Sequence, residues 1–283
     1  MKILIAMDTN PYSTGIINDA AKLAANTWAD VTMLITRSPT ATQAGVDKTL
    51  TDALLQAQKV FFASGLQGEM PYPKLTAKQL TKSADNIWRA SGRAAKELTM
   101  TIRLADPAKA ILTEAREGQH DLIILGCGSD SQWQNEMDLP QRVARDADCS
   151  VLVIKETKKP EKIGCCLDQT HVSQESLEMI NQIVTLHQAD LKIVGLTGPK
   201  GLPGKGEVEK KMQEVLNYYT SRQINTLVKL VDGADLEEYA ARATREGMIA
   251  LWMGKKSLLG KLFPRDVVAK LLATSRSSVL ILR

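Results

Sequence analysis

The sequence predicts an α/β protein built from two doubly wound, Rossmann-like domains on one chain. Three observations carry this: apolar runs end abruptly at turn residues, strand and helix segments alternate, and the same opening and closing pattern occurs twice. An uninterrupted apolar run suits a parallel strand buried on both faces. Alternation with helices puts such strands in a sheet covered on both sides. The right-handed crossover rule then makes the sheet doubly wound.

An internal repeat sets the domain count at two. Lys2–Asp8 (KILIAMD) is followed by Ser13, and Lys162–Asp168 (KIGCCLD) by Ser173, so both the aspartates and the serines lie 160 residues apart. The closing segments recur at a shorter distance. Leu122–Gly126 (LIILG) matches Ala250–Gly254 (ALWMG), and Ser150–Ile154 matches Ser278–Leu282, each 128 residues apart. The fall from 160 to 128 gives the first copy 32 extra residues. They are expected within about residues 40–100, as an extra helical segment.

Ile3–Met7 reads as a strand, Ser13–Ala25 as a helix and Val31–Thr36 as a second strand. Asp47–Phe62 reads as a helix, Gly65–Pro73 as a loop, and Leu75–Leu98, with Trp88, as a second helix. Asp106 and Pro107 open the Ala-rich helix Pro107–Glu117 as N-cap and first helical residue. Asp121–Leu125 and Val151–Ile154 are strands around the helix Gln141–Asp146. Glu156–Pro160 (ETKKP) is a short charged linker, so the domains run over 1–156 and 160–283. In the second copy, the Gly-rich loop Gly198–Gly206 precedes the helix Glu207–Ser221. So short a linker favours an intramolecular pseudo-dimer, in which the apolar terminal strands Val151–Ile154 and Val279–Leu282 cover one another; a homodimer is compatible with the sequence.

Taken in order and twice over, these pieces resemble the universal stress protein family. They are the strand ending in Asp with Ser five residues later, the Asp106-Pro107 helix, the LIILG strand and turn, and the SVLVI ending. The resemblance implies a five-stranded parallel sheet in each domain, of the adenine nucleotide alpha hydrolase type, and dimers formed through the last strand. Many members bind ATP and others do not. Carried over by position, the aspartates beside adenine and ribose are Asp8 and Asp168; each also suits a turn or helix cap.

The family's phosphate loop is Gly-x-x-Gly, then Gly-Ser or Gly-Thr before the next helix. Glycine lets the backbone approach the phosphates, and helix N-terminal N–H groups hold the charge. Here the first copy has Gly126, Gly128 and Ser129 in a Gly-x-Gly pattern, with Met137-Asp138 in the later slot, where a carboxylate repels phosphate. The second has Gly254, Lys255, Lys256 and Ser257, with Arg265-Asp266 in that slot. Lys255, Lys256, Lys261 and Arg265 could hold an anion without the glycines; a solvated basic loop is the plainer reading. The resemblance therefore allows ATP or AMP as ligand, the second copy being the better anion site, and leaves open a ligand-free scaffold acting through protein contacts.

Composition narrows the rest. A net charge of +4 with 4% aromatics does not describe a nucleic-acid binder. No apolar stretch is long enough for a membrane span, and the first apolar run is too short for a signal peptide, so a soluble cytoplasmic protein is expected. The cysteines Cys127, Cys149, Cys165 and Cys166 form no CxxC pair, and His120, His171 and His187 have no ligand spacing, so no metal site is expected. Gly204-Lys205 is followed by Gly206, which is no P-loop; Asp8 onward is no Gly-x-Gly-x-x-Gly turn; no Gly-x-Ser-x-Gly elbow occurs. Ser13 and Ser173 read as helix-start residues, and no catalytic constellation is expected.

Overall fold

Parallel strands in the order expected of a doubly wound sheet form the core of both halves of the computed structural model. It describes residues 1–9, 14–39, 48–64, 70–126, 139–155, 159–167, 173–197, 205–253 and 265–283. The chain divides into two units, Met1–Ile154 and Lys155–Arg283. The linker residues 156–158 lie outside the described residues.

Unit 1 contains β1 (Lys2–Met7), α1 (Thr14–Thr27), β2 (Asp30–Arg37), α2 (Lys48–Ala63), β3 (Thr81–Ala84), β4 (Ile87–Arg93), β5 (Glu97–Leu104), α3 (Pro107–Glu117), β6 (Leu122–Gly126), α4 (Leu139–Asp146) and β7 (Ser150–Ile154). Its strand order is β7-β6-β1-β2-β5-β4-β3. The first five are parallel, and β4 and β3 run antiparallel. Unit 2 contains β8 (Lys162–Cys166), α5 (Gln174–His187), β9 (Asp190–Thr197), α6 (Lys205–Thr220), β10 (Thr226–Asp232), α7 (Leu236–Glu246), β11 (Met248–Trp252), α8 (Arg265–Thr274) and β12 (Val279–Leu282). Its order is β10-β9-β8-β11-β12, all parallel.

Helix starts follow local chemistry. Asp106 accepts a hydrogen bond from the Lys109 amide at 2.9 Å, with proline in the first turn of α3. Ser173 accepts from the Ser176 amide at 3.2 Å and caps α5. Each satisfies one of the unpaired N–H groups at a helix N-terminus.

The expected helix over Leu75–Leu98 does not form. A short 3-10 turn, Ala77–Gln79, leads into the β3–β4 hairpin, which turns at Asp85-Asn86 with Asn86 at φ 60°. Asparagine tolerates that left-handed conformation, and its side chain supports the turn. The hairpin adds two antiparallel strands beyond β5, with Leu104 N–H donating to the Asn86 carbonyl at 2.9 Å.

The segment before the hairpin is clamped. Gln58 of α2, almost fully buried, donates to the Leu75 carbonyl at 2.8 Å and accepts from its amide at 2.7 Å. Tyr72 donates to the Ala29 carbonyl at 2.7 Å, and its ring meets Phe61 edge-on at 5.3 Å. A Cβ at Gly92 would stand 2.9 Å from the Leu75 side chain, so glycine is what lets β4 pass beneath this strap.

Sheet register revises one repeat alignment. Ile3 pairs with Leu122, whereas Ile163, its counterpart, pairs with Met248. Leu122–Gly126 therefore equates with Met248–Trp252 and not with Ala250–Gly254. A slip of two keeps every side chain on the same face, so two continuous apolar runs cannot reveal it in sequence. Among the described residues, no helix is long and apolar enough to cross a membrane.

Candidate functional site

In a doubly wound sheet the ligand crevice opens outside the carboxyl ends of the strands, where the strand order reverses. In unit 1 that point falls between β1 and β6. Asp8 directly follows β1 and is buried, and Gly126 ends β6, so the paired strands bring these two residues to one edge.

The strand beside β1 adds a residue that sequence reasoning missed. Met7 pairs with Ile35, so Thr36 is the next position along β2, level with Asp8. Thr36 Oγ1 is buried and has no hydrogen-bond partner among the described residues. Gln141, in the first turn of α4, likewise has a buried Oε1 with no partner there. An unmet polar group in an interior costs on the order of 1–3 kcal/mol, so each needs a reason. A threonine in a strand otherwise reads as ordinary β propensity, and its level with Asp8 appears only in the register.

Chemically, Asp8 and Thr36 put a carboxylate and a hydroxyl at this edge. Both can accept hydrogen bonds, which suits a ligand that donates them through hydroxyl or amino groups.

Unit 2 differs at the same level. Its reversal falls between β8 and β11. Register puts Trp252, buried, where unit 1 has Gly126, and β9 has the buried Leu196 where β2 has Thr36. Gly128, Ser129, Asp168, Gly254, Lys255, Lys256 and Ser257 lie outside the described residues, as does the side chain of Arg265, the first residue of α8.

A second polar assembly occupies unit 1 beneath α3. Glu114 accepts from Arg89 Nη2 and Arg103 Nε, both at 2.7 Å, and Arg103 also bonds Glu117. Close by, His120 Nε2 lies 2.9 Å from Thr32 Oγ1 and Nδ1 3.4 Å from the Ala115 carbonyl. With Nδ1 as donor and Nε2 as acceptor, the neutral ring satisfies both partners. Burial holds the His120 pKa below its ordinary 6.5; Lys2 adds to this, and the Ala115 carbonyl and the Glu114 carboxylate oppose it. A cavity of about 300 Å³ opens between His120, Arg89, Thr99 and Glu97. The ion pairs here are satisfied, and the arrangement reads as structural.

The model of the universal stress protein family matches residues 1–155. A search of curated protein sequences finds no match. Three similar solved structures share the fold. A candidate universal stress protein from Pseudomonas aeruginosa UCBPP-PA14 is 16% identical, covers 99% of this chain and 92% of its own, and has a TM-score of 0.57. A universal stress protein from Archaeoglobus fulgidus DSM 4304 is 12% identical, with coverage of 100% and 96% and a TM-score of 0.57. The cytoplasmic domain of a prokaryotic cation chloride cotransporter is 12% identical, with coverage of 99% and 94% and a TM-score of 0.53.

Proposed function

The chain belongs to the universal stress protein family, and from that premise we propose that it is a cytoplasmic, non-enzymatic stress-response regulator that binds the nucleoside portion of an adenine nucleotide in unit 1. The observation that carries this reading is Thr36, whose buried hydroxyl has no partner among the described residues and stands level with Asp8 at the strand-order reversal. An adenine amine or a ribose hydroxyl would supply the missing partner. Recognition through the nucleoside also fits a phosphate loop that lacks the full glycine signature.

A second reading has its own observation. Trp252 and Leu196 stand at the unit 2 edge in place of Gly126 and Thr36, which favours a scaffold role without ligand for that unit.

Calorimetric titration with adenosine, AMP and ATP tests the proposal. Adenosine and ATP should bind with similar affinity, and Thr36→Val should weaken both about fivefold, the loss of one hydrogen bond of about 1 kcal/mol. Lys255→Ala/Lys256→Ala should leave binding unchanged. Binding lost in that double variant would move the site to unit 2. No binding of any of the three at millimolar concentration would leave the scaffold reading for the whole chain.

A further inference from the structure

Unit 1 and unit 2 treat the same strand in opposite ways. Thr32 pairs with Thr99 of β5, and Lys192, its counterpart, pairs with Leu227 of β10, so β5 and β10 are equivalent. In unit 1 the outer edge of β5 is covered by seven paired residues of β4. The hairpin then ends in β3, a strand of four exposed residues carrying Lys82, which is a protected edge. In unit 2, among the described residues, β10 pairs with β9 alone. Leu227 is 63% exposed and Val228 36%, on opposite faces of the strand.

The backbone of β10 is set to receive a strand. The Leu191 amide donates to the Asn225 carbonyl, so Asn225 and, by alternation, Leu227 and Lys229 direct their backbone groups at β9. Val228 and Leu230 direct theirs outward. In unit 1 their counterparts are Met100 and Ile102, whose partners across β4 are Ala90 and Trp88. A cavity of about 130 Å³ lies beside Leu227, walled by Gly164, Leu191, Tyr239, Ala243 and Met248.

Charge selects the occupant. Lys229 sits mid-strand, its ammonium 5.1 Å from the centre of the Tyr239 ring. A second copy of β10 laid antiparallel and centred on this residue would set Lys229 against Lys229, which is unfavourable. An acidic side chain there would be favourable. The geometry points to β10 as a docking edge for an extended segment of a partner protein, added antiparallel as β4 is added to β5. That segment carries an acidic residue opposite Lys229, with apolar residues opposite Leu227, Val228 and Leu230. Main-chain hydrogen bonds would supply affinity and the alternating side chains specificity.

The test uses the full chain and a fluorescein-labelled peptide of the β4 sequence Ile87–Arg93 carrying Arg89→Glu and Ser91→Val. Fluorescence anisotropy should show saturable binding, weaker by about fivefold for the same peptide with Arg89 restored, as expected for a cross-strand charge pair. Lys229→Glu should reverse that preference. Leu230→Pro removes an outward N–H that β9 does not use, and should abolish binding with the melting temperature retained. If neither peptide binds, or Lys229→Glu leaves the preference unchanged, the proposal fails. It also fails if sedimentation shows a dimer that Leu230→Pro dissolves, since β10 would then be covered by a second copy.

Discussion

Beneath the helix that follows the third parallel strand, the two units are built from different materials. In unit 1, β5 presents Thr101 and Arg103 to Glu114 of α3. In unit 2 the equivalent strand positions are Lys229 and Val231. Helices α3 and α7 are both 11 residues long and both end at a glycine cap, which equates Glu114 with Ala243. One fold thus closes the same layer with a buried ion-pair network in one unit and, in the other, with Val231 and Ala243 beside a lysine, Lys229, set over the Tyr239 ring. Hydrophobic replacement of a buried ion pair is often neutral or stabilising, whereas removal of one partner alone is severe. The network therefore commits unit 1 to keeping all its members.

The largest effect that would break this comparison is Glu114→Ala. It takes from Arg103, 8% exposed, one of its two carboxylate partners, leaving Glu117, and should destabilise unit 1 by about 3 kcal/mol, the low end for a broken buried ion pair. Hydrogen exchange should show the loss over residues 97–117 and leave β8 to β12 unchanged. Adding Arg103→Val, which imitates unit 2, should recover much of the loss. Failure to recover would mean that the ion pairs serve more than packing. A smaller effect is expected of Gln58→Ala, which frees both Leu75 backbone groups from the strap and should cost about 2 kcal/mol, two ordinary hydrogen bonds. Exchange in β3 and β4 should rise first.

The smallest effect is a dependence on pH. His120 lies in the four-residue connection between α3 and β6; in unit 2, α7 and β11 are joined by Gly247 alone, so the histidine has no counterpart. Its pKa in the folded chain lies below the ordinary 6.5, so the unfolded chain binds more protons on acidification. Stability from this group is complete above about pH 6.5 and is lost as pH falls from there toward the lower folded value. Melting temperatures between pH 7.5 and 5 should show the decline, and His120→Gln should flatten it. An unchanged slope in that variant would place the proton elsewhere.

Strands β1, β2, β6 and β7 were legible because each is a continuous apolar run bounded by turn residues, and the caps at Asp106 and Ser173 because one oxygen at a helix start has a definite partner; β5 (ELTMTIRL), β9 (DLKIVGLT) and β10 (TLVKLVD) carry charges within the run and were not legible as strands. Hairpin β3–β4 was not legible either. Its residues are mostly exposed or half-exposed, so they show no apolar run, and what makes them strands is β5 alongside. At the candidate site, Asp8 and Gly126 stand out because they end apolar runs. Thr36 and Gln141 do not, because an unmet hydrogen bond is a property of neighbours and not of the residue. The two-residue slip of β11 was hidden for a related reason: Met248–Trp252 and Ala250–Trp252 are equally apolar.

Cys165 and Cys166 are the only thiols of residues 155–283, and both are fully buried in a strand with neighbours on either side. Burial pushes the Cys166 thiol up to about 12 and raises Cys165 well above its ordinary range, so little thiolate forms while the sheet is closed. A thiol reagent can modify them only when β8 parts from its neighbours. The rate at which the pair is labelled is then a clock for the opening of unit 2, set by the chain and requiring no added probe.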